Sequence, residues 1–94
     1  MDFETFTASL SAEQPPKDIS NLLLALWYAG KKDWDKSHDI AQEIHDSNGS
    51  WIHAYLHRME GDRANAGYWY SKAGKNMPSY SLEKEWESLV KYFI

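Results

Sequence analysis

The amino-acid sequence predicts an all-α fold with no β-strand. Apolar residues recur at helical spacing in six segments, and turn residues such as Gly, Asp and Pro separate these segments. No segment alternates apolar and polar residues between hairpin signals. Hydrophobic residues make up 43% of the 94 residues and aromatic residues 15%, which is enough for one core. We therefore expect residues 1–94 to form a single helical domain.

The first two predicted helices lie on either side of a proline pair. Apolar residues at helical spacing, preceded by an acidic residue, predict a short helix over residues 2–10. Pro15 and Pro16 then favour extended backbone, and Asp18 is the expected N-cap of a helix that ends at Gly30. Because this second helix carries apolar residues on two sides, we expect it to occupy a central position.

The next turn signals predict two helical hairpins. Asp33 is the expected N-cap of the helix that completes a first hairpin over residues 18–46. The sequence Ser-Asn-Gly at residues 47–49 is expected to end that helix. The second hairpin is expected to span residues 51–75, with Asp62 as the N-cap of its second helix.

The last predicted helix has the clearest amphipathic pattern. It spans residues 82–93 and follows Ser81, the expected N-cap. Its apolar residues form one stripe, which contains Leu82, Trp86, Leu89, Val90 and Phe93. We expect this helix to cap one end of the stacked hairpins and the short N-terminal helix to cap the other end.

The second hairpin carries part of the tetratricopeptide repeat (TPR) pattern. The positions that match its second helix and terminal proline are Ala66, Tyr70, Ala73 and Pro78. The positions that depart from the pattern, where Trp, Leu and Tyr are expected, are Ser50, His53 and His57. The chain thus resembles TPR proteins, and the resemblance implies TPR-like stacked antiparallel helical hairpins that act as a scaffold for protein contacts.

A narrower resemblance is carried by the segment W-I-H-A-Y-L-H-R-M-E-G-D at residues 51–62. Ala-Leu-Trp-Tyr at residues 25–28 and Tyr-Trp-Tyr at residues 68–70 extend it. These segments are similar to those of a family of small, uncharacterised bacterial proteins. The resemblance implies a bacterial, intracellular protein, and it implies no particular activity.

Composition and charge argue against several classes of function. The net charge is -4 and the ten Lys and Arg residues are scattered, so no basic surface for nucleic acid is expected. The chain contains no Cys, which excludes thiol nucleophiles and cysteine-ligated metals. The longest apolar run, Leu22 to Ala29, is shorter than the roughly 20 residues that span a bilayer. The N-terminus lacks the features of a signal peptide, so we expect a cytoplasmic protein that does not bind membranes.

The first functional hypothesis is a module that binds a protein, a peptide or a second copy of the chain. Aromatic side chains in a groove concentrate binding energy, and this chain contains five Trp and six Tyr residues. Tyr68 also falls outside the apolar stripe of its helix. The residues expected to contact the partner are Trp51, His53, Tyr55, His57, Tyr68 and Trp69. This hypothesis requires no catalytic residue and no cofactor.

The alternative is a metal-binding protein or a metal-dependent enzyme centred on His53 and His57. Residues four apart on a helix lie one above the other, so these imidazoles can bind one divalent metal ion such as zinc. The candidates for further ligands are His38, Glu43, His45 and Glu60. A competing interpretation is structural, because the TPR register places both histidines against neighbouring helices, where they would be buried.

Charged residues also cluster around the turn of the second hairpin. They are Arg58, Glu60, Asp62 and Arg63. Such clusters usually consist of helix caps and surface ion pairs, each of which stabilises the protein by well under about 1 kcal/mol. We therefore expect these side chains to cap helices and to form ion pairs at the surface.

Overall fold

The computed structural model describes all 94 residues and contains six α-helices and no β-strand. The helices are α1 (Phe3–Ala8), α2 (Asn21–Gly30), α3 (Trp34–Gln42), α4 (Ser47–Met59), α5 (Arg63–Ala73) and α6 (Leu82–Phe93). The predicted all-α fold class is confirmed. None of these helices combines the length and the apolar character needed to cross a bilayer.

Each helix begins after a residue whose side chain accepts a hydrogen bond from the backbone N–H three positions further on. These caps are Asp2, Ser20, Asp33, Asp46, Asp62 and Ser81. Such a cap stabilises a helix by about 1 kcal/mol. Three of the predicted caps, Asp33, Asp62 and Ser81, are confirmed. The prediction of Asp18 is wrong, because α2 begins after Ser20 and Asp18 adopts left-handed backbone with a φ of 61°.

The connection between α3 and α4 differs from the prediction. Helix α3 ends at Gln42 rather than at Asp46, and residues 47–49 form the first turn of α4 instead of a terminating turn. Gly49 is required here by close packing, because a Cβ atom at this position would collide with the carbonyl oxygen of Ile44. The second hairpin therefore begins earlier than predicted, and this glycine marks a close approach rather than a helix end.

Two other helix boundaries differ from the prediction by a few residues. The regular part of α1 ends at Ala8, and the chain continues as a 3₁₀ turn over Ser9–Ser11. Helix α5 ends at Ala73 rather than at residue 75. Gly74 follows it in left-handed conformation with a φ of 70°, which terminates the helix.

Helix α2 occupies the centre of the core, as predicted, and it contacts α3, α4 and α6. Its residues Ala25, Leu26 and Trp27 are at most 1% exposed. Indole nitrogens tie other elements to it: Trp86 Nε1 donates to the Leu26 carbonyl at 2.8 Å, and Trp27 Nε1 donates to Ser9 Oγ at 3.1 Å. Buried Trp27 and half-buried Trp86 thus combine apolar packing with satisfied hydrogen bonds.

Helices α1 and α6 lie together, so the expectation that they cap opposite ends of the hairpins is wrong. Phe3 of α1 lies edge-on to Trp86 of α6, with ring centroids 5.9 Å apart. Helix α6 also packs against α2 and α4, the first helices of the two hairpins. The last helix therefore covers one side of both hairpins.

A buried ion pair joins α4 to α6. Arg58 Nη1 donates to Glu85 Oε1 at 2.8 Å, and Glu85 is only 1% exposed. The Tyr70 hydroxyl of α5 donates to the same carboxylate at 2.7 Å, and the Arg58 guanidinium also bonds to the carbonyl oxygen of Tyr80. The Arg58 side chain is 11% exposed, so its prediction as a member of a surface ion pair is wrong.

Candidate metal centre

Three histidines meet where α3 packs against α4. His38 lies on α3, and His53 and His57 lie one turn apart on the facing side of α4. His53 is 6% exposed and His57 is 7% exposed, whereas His38 is half-buried. The packing of two helices thus brings together candidate ligands that are distant in sequence.

The ring nitrogens of the three histidines converge. Nε2 of His38 lies 2.9 Å from Nε2 of His53. One nitrogen from each of the three rings lies within 4.8 Å of the other two. Nitrogens bound to one tetrahedral zinc ion stand about 3.3 Å apart, given Zn–N bonds of about 2.0–2.1 Å. Binding of one ion by all three would require the widest of these separations to shorten by up to about 1.5 Å.

Glu60 fixes the orientation of His57. Nδ1 of His57 lies 2.8 Å from Oε1 of Glu60, and it donates this hydrogen bond in the tautomer that carries the proton on Nδ1. That tautomer leaves the Nε2 lone pair free. A carboxylate bonded to the second nitrogen of a histidine is a regular feature of metal sites, where it raises the basicity of the ligand. Glu60 thus orients His57 through a hydrogen bond and is not itself one of the three candidate ligands.

The environment favours the neutral forms of His53 and His38. Burial, with added repulsion from His38 and His57, lowers the pKa of His53 from 6.5 to about 4. Burial and the neighbouring His57 also lower the pKa of His38. A hydrogen bond between two Nε2 atoms requires a lone pair on one of them, and a metal ion would replace the shared proton and accept both lone pairs.

Two tryptophans hold the imidazole rings in place. Trp69 stacks on His53 with ring centroids 3.9 Å apart, and Trp34 stacks on His38 at 4.7 Å. Trp34 also lies edge-on to His57, and its Nε1 donates to the Leu56 carbonyl at 2.7 Å. These contacts restrict rotation of the histidine side chains and shield them from water, so the cluster is largely preorganised.

A cleft of about 400 Å³ opens beside the cluster. It lies between the end of α3, the start of α4 and one side of α5, and His53 and Trp69 form part of its wall. Ser50 and Lys72 add polar groups to the same wall. The cleft gives solvent and small ligands a route to His53.

A second group of candidate ligands lies nearby but has other roles. His57, Glu60 and Asp62 offer atoms within 4.8 Å of one another. However, Glu60 is bonded to His57, and Asp62 accepts the hydrogen bond from the Asn65 backbone that caps α5. The three histidines are therefore the better candidate site.

The other residues singled out from the sequence lie in varied positions. His45 and Glu43 are exposed, form a loose contact at 3.8 Å with each other, and do not join the three histidines. Of the residues expected to contact a partner, Tyr55 is 3% exposed and Tyr68 is 57% exposed. The half-buried ones are Trp51 and Trp69. Only part of this set can therefore form an exposed contact surface.

Neither Trp34 nor Trp69 was predicted from the sequence to belong to the histidine site. The spacing of Trp34 and His38, four residues apart on one helix, was a usable signal, because such residues share a face. No comparable signal existed for Trp69, because its contact with His53 depends on how α5 packs against α4.

Comparisons with protein-family models, with curated proteins and with solved structures find no match to this chain. The geometry of the chain itself is therefore the basis for a functional proposal.

Proposed function

We propose that this protein binds a divalent transition-metal ion, such as zinc, through His38, His53 and His57. The observation that carries the proposal is the convergence of three largely buried imidazoles whose nitrogens lie within 4.8 Å of one another. In this cluster Nε2 of His38 lies 2.9 Å from Nε2 of His53, and a cation between these two atoms would use both of their lone pairs.

The chemistry of the ligands indicates the class of metal. Imidazole nitrogens suit zinc, copper, nickel and iron, whereas magnesium and calcium prefer oxygen ligands. Three histidines leave a fourth position for water or a small ligand, which is the arrangement of catalytic rather than purely structural zinc sites. The cleft beside His53 supplies a route to that position. The proposal is metal binding, and a metal-dependent reaction would use the same arrangement.

Replacement of Glu60 by Gln is expected to weaken zinc binding by about 10- to 100-fold, because the carboxylate orients His57 and raises the basicity of its ring. Replacement of His38 by Ala removes a ligand and is expected to weaken binding further. Isothermal calorimetry with zinc would measure both affinities. The absorption of bound cobalt would report whether the coordination is tetrahedral.

His45→Ala provides the matched control, because this fourth histidine is exposed and lies outside the cluster. It is expected to leave the affinity unchanged. Wild-type protein that binds zinc no more tightly than the His38→Ala variant would contradict the proposal. Equal losses of affinity in the His38→Ala and His45→Ala variants would contradict it as well.

A second candidate function is the binding of a peptide through the exposed side of α5. Tyr68 is 57% exposed and lies edge-on to the half-buried Trp69 at 5.2 Å, and Lys72 Nζ lies 5.6 Å from both rings. An aromatic pair beside a cation is typical of interface residues. TPR-like stacking of the hairpins α2/α3 and α4/α5 is part of this candidate function, and it would present α5 at the edge of the scaffold.

Peptides selected from a displayed library on the wild-type protein test this second candidate. Tyr68→Ala is expected to weaken their binding at least about tenfold, since truncation of an interface Tyr commonly costs more than about 1 kcal/mol. Tyr92→Ala is the matched control, because Tyr92 is 63% exposed but lies on α6. If both variants bind the selected peptides as the wild type does, the exposed side of α5 is not the binding surface.

A further inference from the structure

An apolar cavity lies on the opposite side of α4 from the histidines. Its volume is about 160 Å³, and most of its lining is apolar. The principal lining residues are Leu10, Ala29, Tyr55, Met59, Leu82 and Trp86. Successive residues of a helix are rotated by about 100°, so Tyr55 and Met59 project roughly opposite to His53 and His57. The cavity is therefore independent of the candidate metal centre.

Tyr55 places one polar atom at this cavity. The side chain is 3% exposed, and its hydroxyl forms no hydrogen bond of the kind that Tyr70 makes with Glu85. Every fully enclosed polar side-chain atom in the protein has a partner, so the Tyr55 oxygen, which has none, must keep some accessible surface, and the side chain lines this cavity. Tyrosine hydroxyls with little exposure usually have a partner, and a polar ligand in the cavity would supply one here.

The charges around the cavity favour a neutral occupant. Its only ionisable lining groups besides Tyr55 are Lys32 and Glu83, which have opposite signs and are both exposed. Burial, together with the nearby carboxylates of Glu85 and Glu83, raises the pKa of Tyr55. Its hydroxyl therefore stays protonated and can donate a hydrogen bond to a ligand.

We propose that this cavity binds one small neutral aromatic molecule of about the size of phenol, with its polar atom bonded to the Tyr55 hydroxyl. A cavity of about 150 Å³ accommodates benzene, so a volume of about 160 Å³ suits a single six-membered ring. Trp86 and Met59 offer the ring apolar and polarisable contacts. This site is separate from the metal site and does not depend on it.

NMR titration with phenol and with benzene tests the proposal. Resonances of cavity residues, among them the Trp86 indole N–H, are expected to shift with either ligand, with dissociation constants in the millimolar range for molecules this small. Tyr55→Phe is expected to weaken phenol binding roughly fivefold and to leave benzene binding unchanged, since only phenol uses the hydroxyl. The variant should fold, because the lost oxygen has no partner in the protein.

Two further arms test the site itself. Leu82→Trp fills part of the cavity from its half-buried rim and is expected to abolish binding of both ligands. Benzoate, which is charged, is expected to bind more weakly than phenol. The proposal would be overturned by an absence of shifts with phenol, by equal phenol affinity in wild type and Tyr55→Phe, by unchanged binding to Leu82→Trp, or by tighter binding of benzoate.

Discussion

Replacement of Arg58 by Met is expected to lower the free energy of unfolding by about 3–5 kcal/mol. The reason is the environment of Glu85, which is 1% exposed and is bonded to Arg58 at 2.8 Å. Without the guanidinium, the carboxylate must either remain charged in an apolar environment or take up a proton. Tyr70 would be its only remaining hydrogen-bond partner among the side chains. Urea denaturation at pH 7 would measure the loss.

Arg63→Met is the matched control for this prediction. Arg63 is exposed and stands at the start of α5, so its replacement should change the stability by no more than about 0.5 kcal/mol. The double variant Arg58→Met/Glu85→Met should recover much of the loss, because it removes the buried charge together with its partner. If Arg58→Met costs no more than Arg63→Met, the ion pair does not stabilise the fold in this way.

The ion pair also accounts for the position of α6. The side chains of Arg58, Tyr70 and Glu85 come from α4, α5 and α6, so one carboxylate joins three helices. The sequence placed Arg58 in a surface cluster because its neighbours at the hairpin turn are charged. Nothing in local spacing identifies Glu85 as its partner, because the two residues meet only after α6 folds back over α4.

Local signals predicted most of the helices correctly. The stripe of apolar residues over 82–93 and the caps Asp33 and Ser81 depend only on neighbours in sequence. Errors arose where tertiary packing determines the role of a residue. Gly49 was interpreted as the end of a helix, but it lies in a first turn that approaches the backbone of Ile44 closely.

The candidate metal site shows the same division. The spacing of His53 and His57 predicted that they share one face of a helix, since four residues make about one turn. Residue types alone could not distinguish His38 from three other candidate ligands. The choice of His38 depends on the register between α3 and α4, and the stacking of Trp69 on His53 depends on α5. Helical periodicity contains neither piece of information.

Acid is expected to destabilise the metal-free protein through His53. In the unfolded chain this residue has its ordinary pKa of 6.5, whereas burial lowers its pKa in the folded protein to about 4. The unfolded chain therefore binds the proton more tightly, and acid favours unfolding. His53 therefore contributes about 3 kcal/mol to the free energy of unfolding above pH 6.5, and this contribution is lost as the pH falls towards 4. His38, whose pKa is also lowered, acts in the same direction.

Chemical denaturation at a series of pH values between 7 and 4, with a chelator present, would measure this loss. His53→Gln is the matched control, since an amide near the position of Nε2 keeps a polar group there but does not take up a proton. Between pH 7 and 4 the His53→Gln variant should therefore lose less stability than the wild type, and the difference should be most of the His53 contribution.

NMR titration of the His53 imidazole would locate its folded-state pKa directly. A midpoint near 6.5 would mean that the ring is not desolvated and that the helices do not enclose it. Protons would then compete with a metal ion for the His53 lone pair below a pH of about 6.5 instead of below about 4, so binding of zinc should weaken at a higher pH.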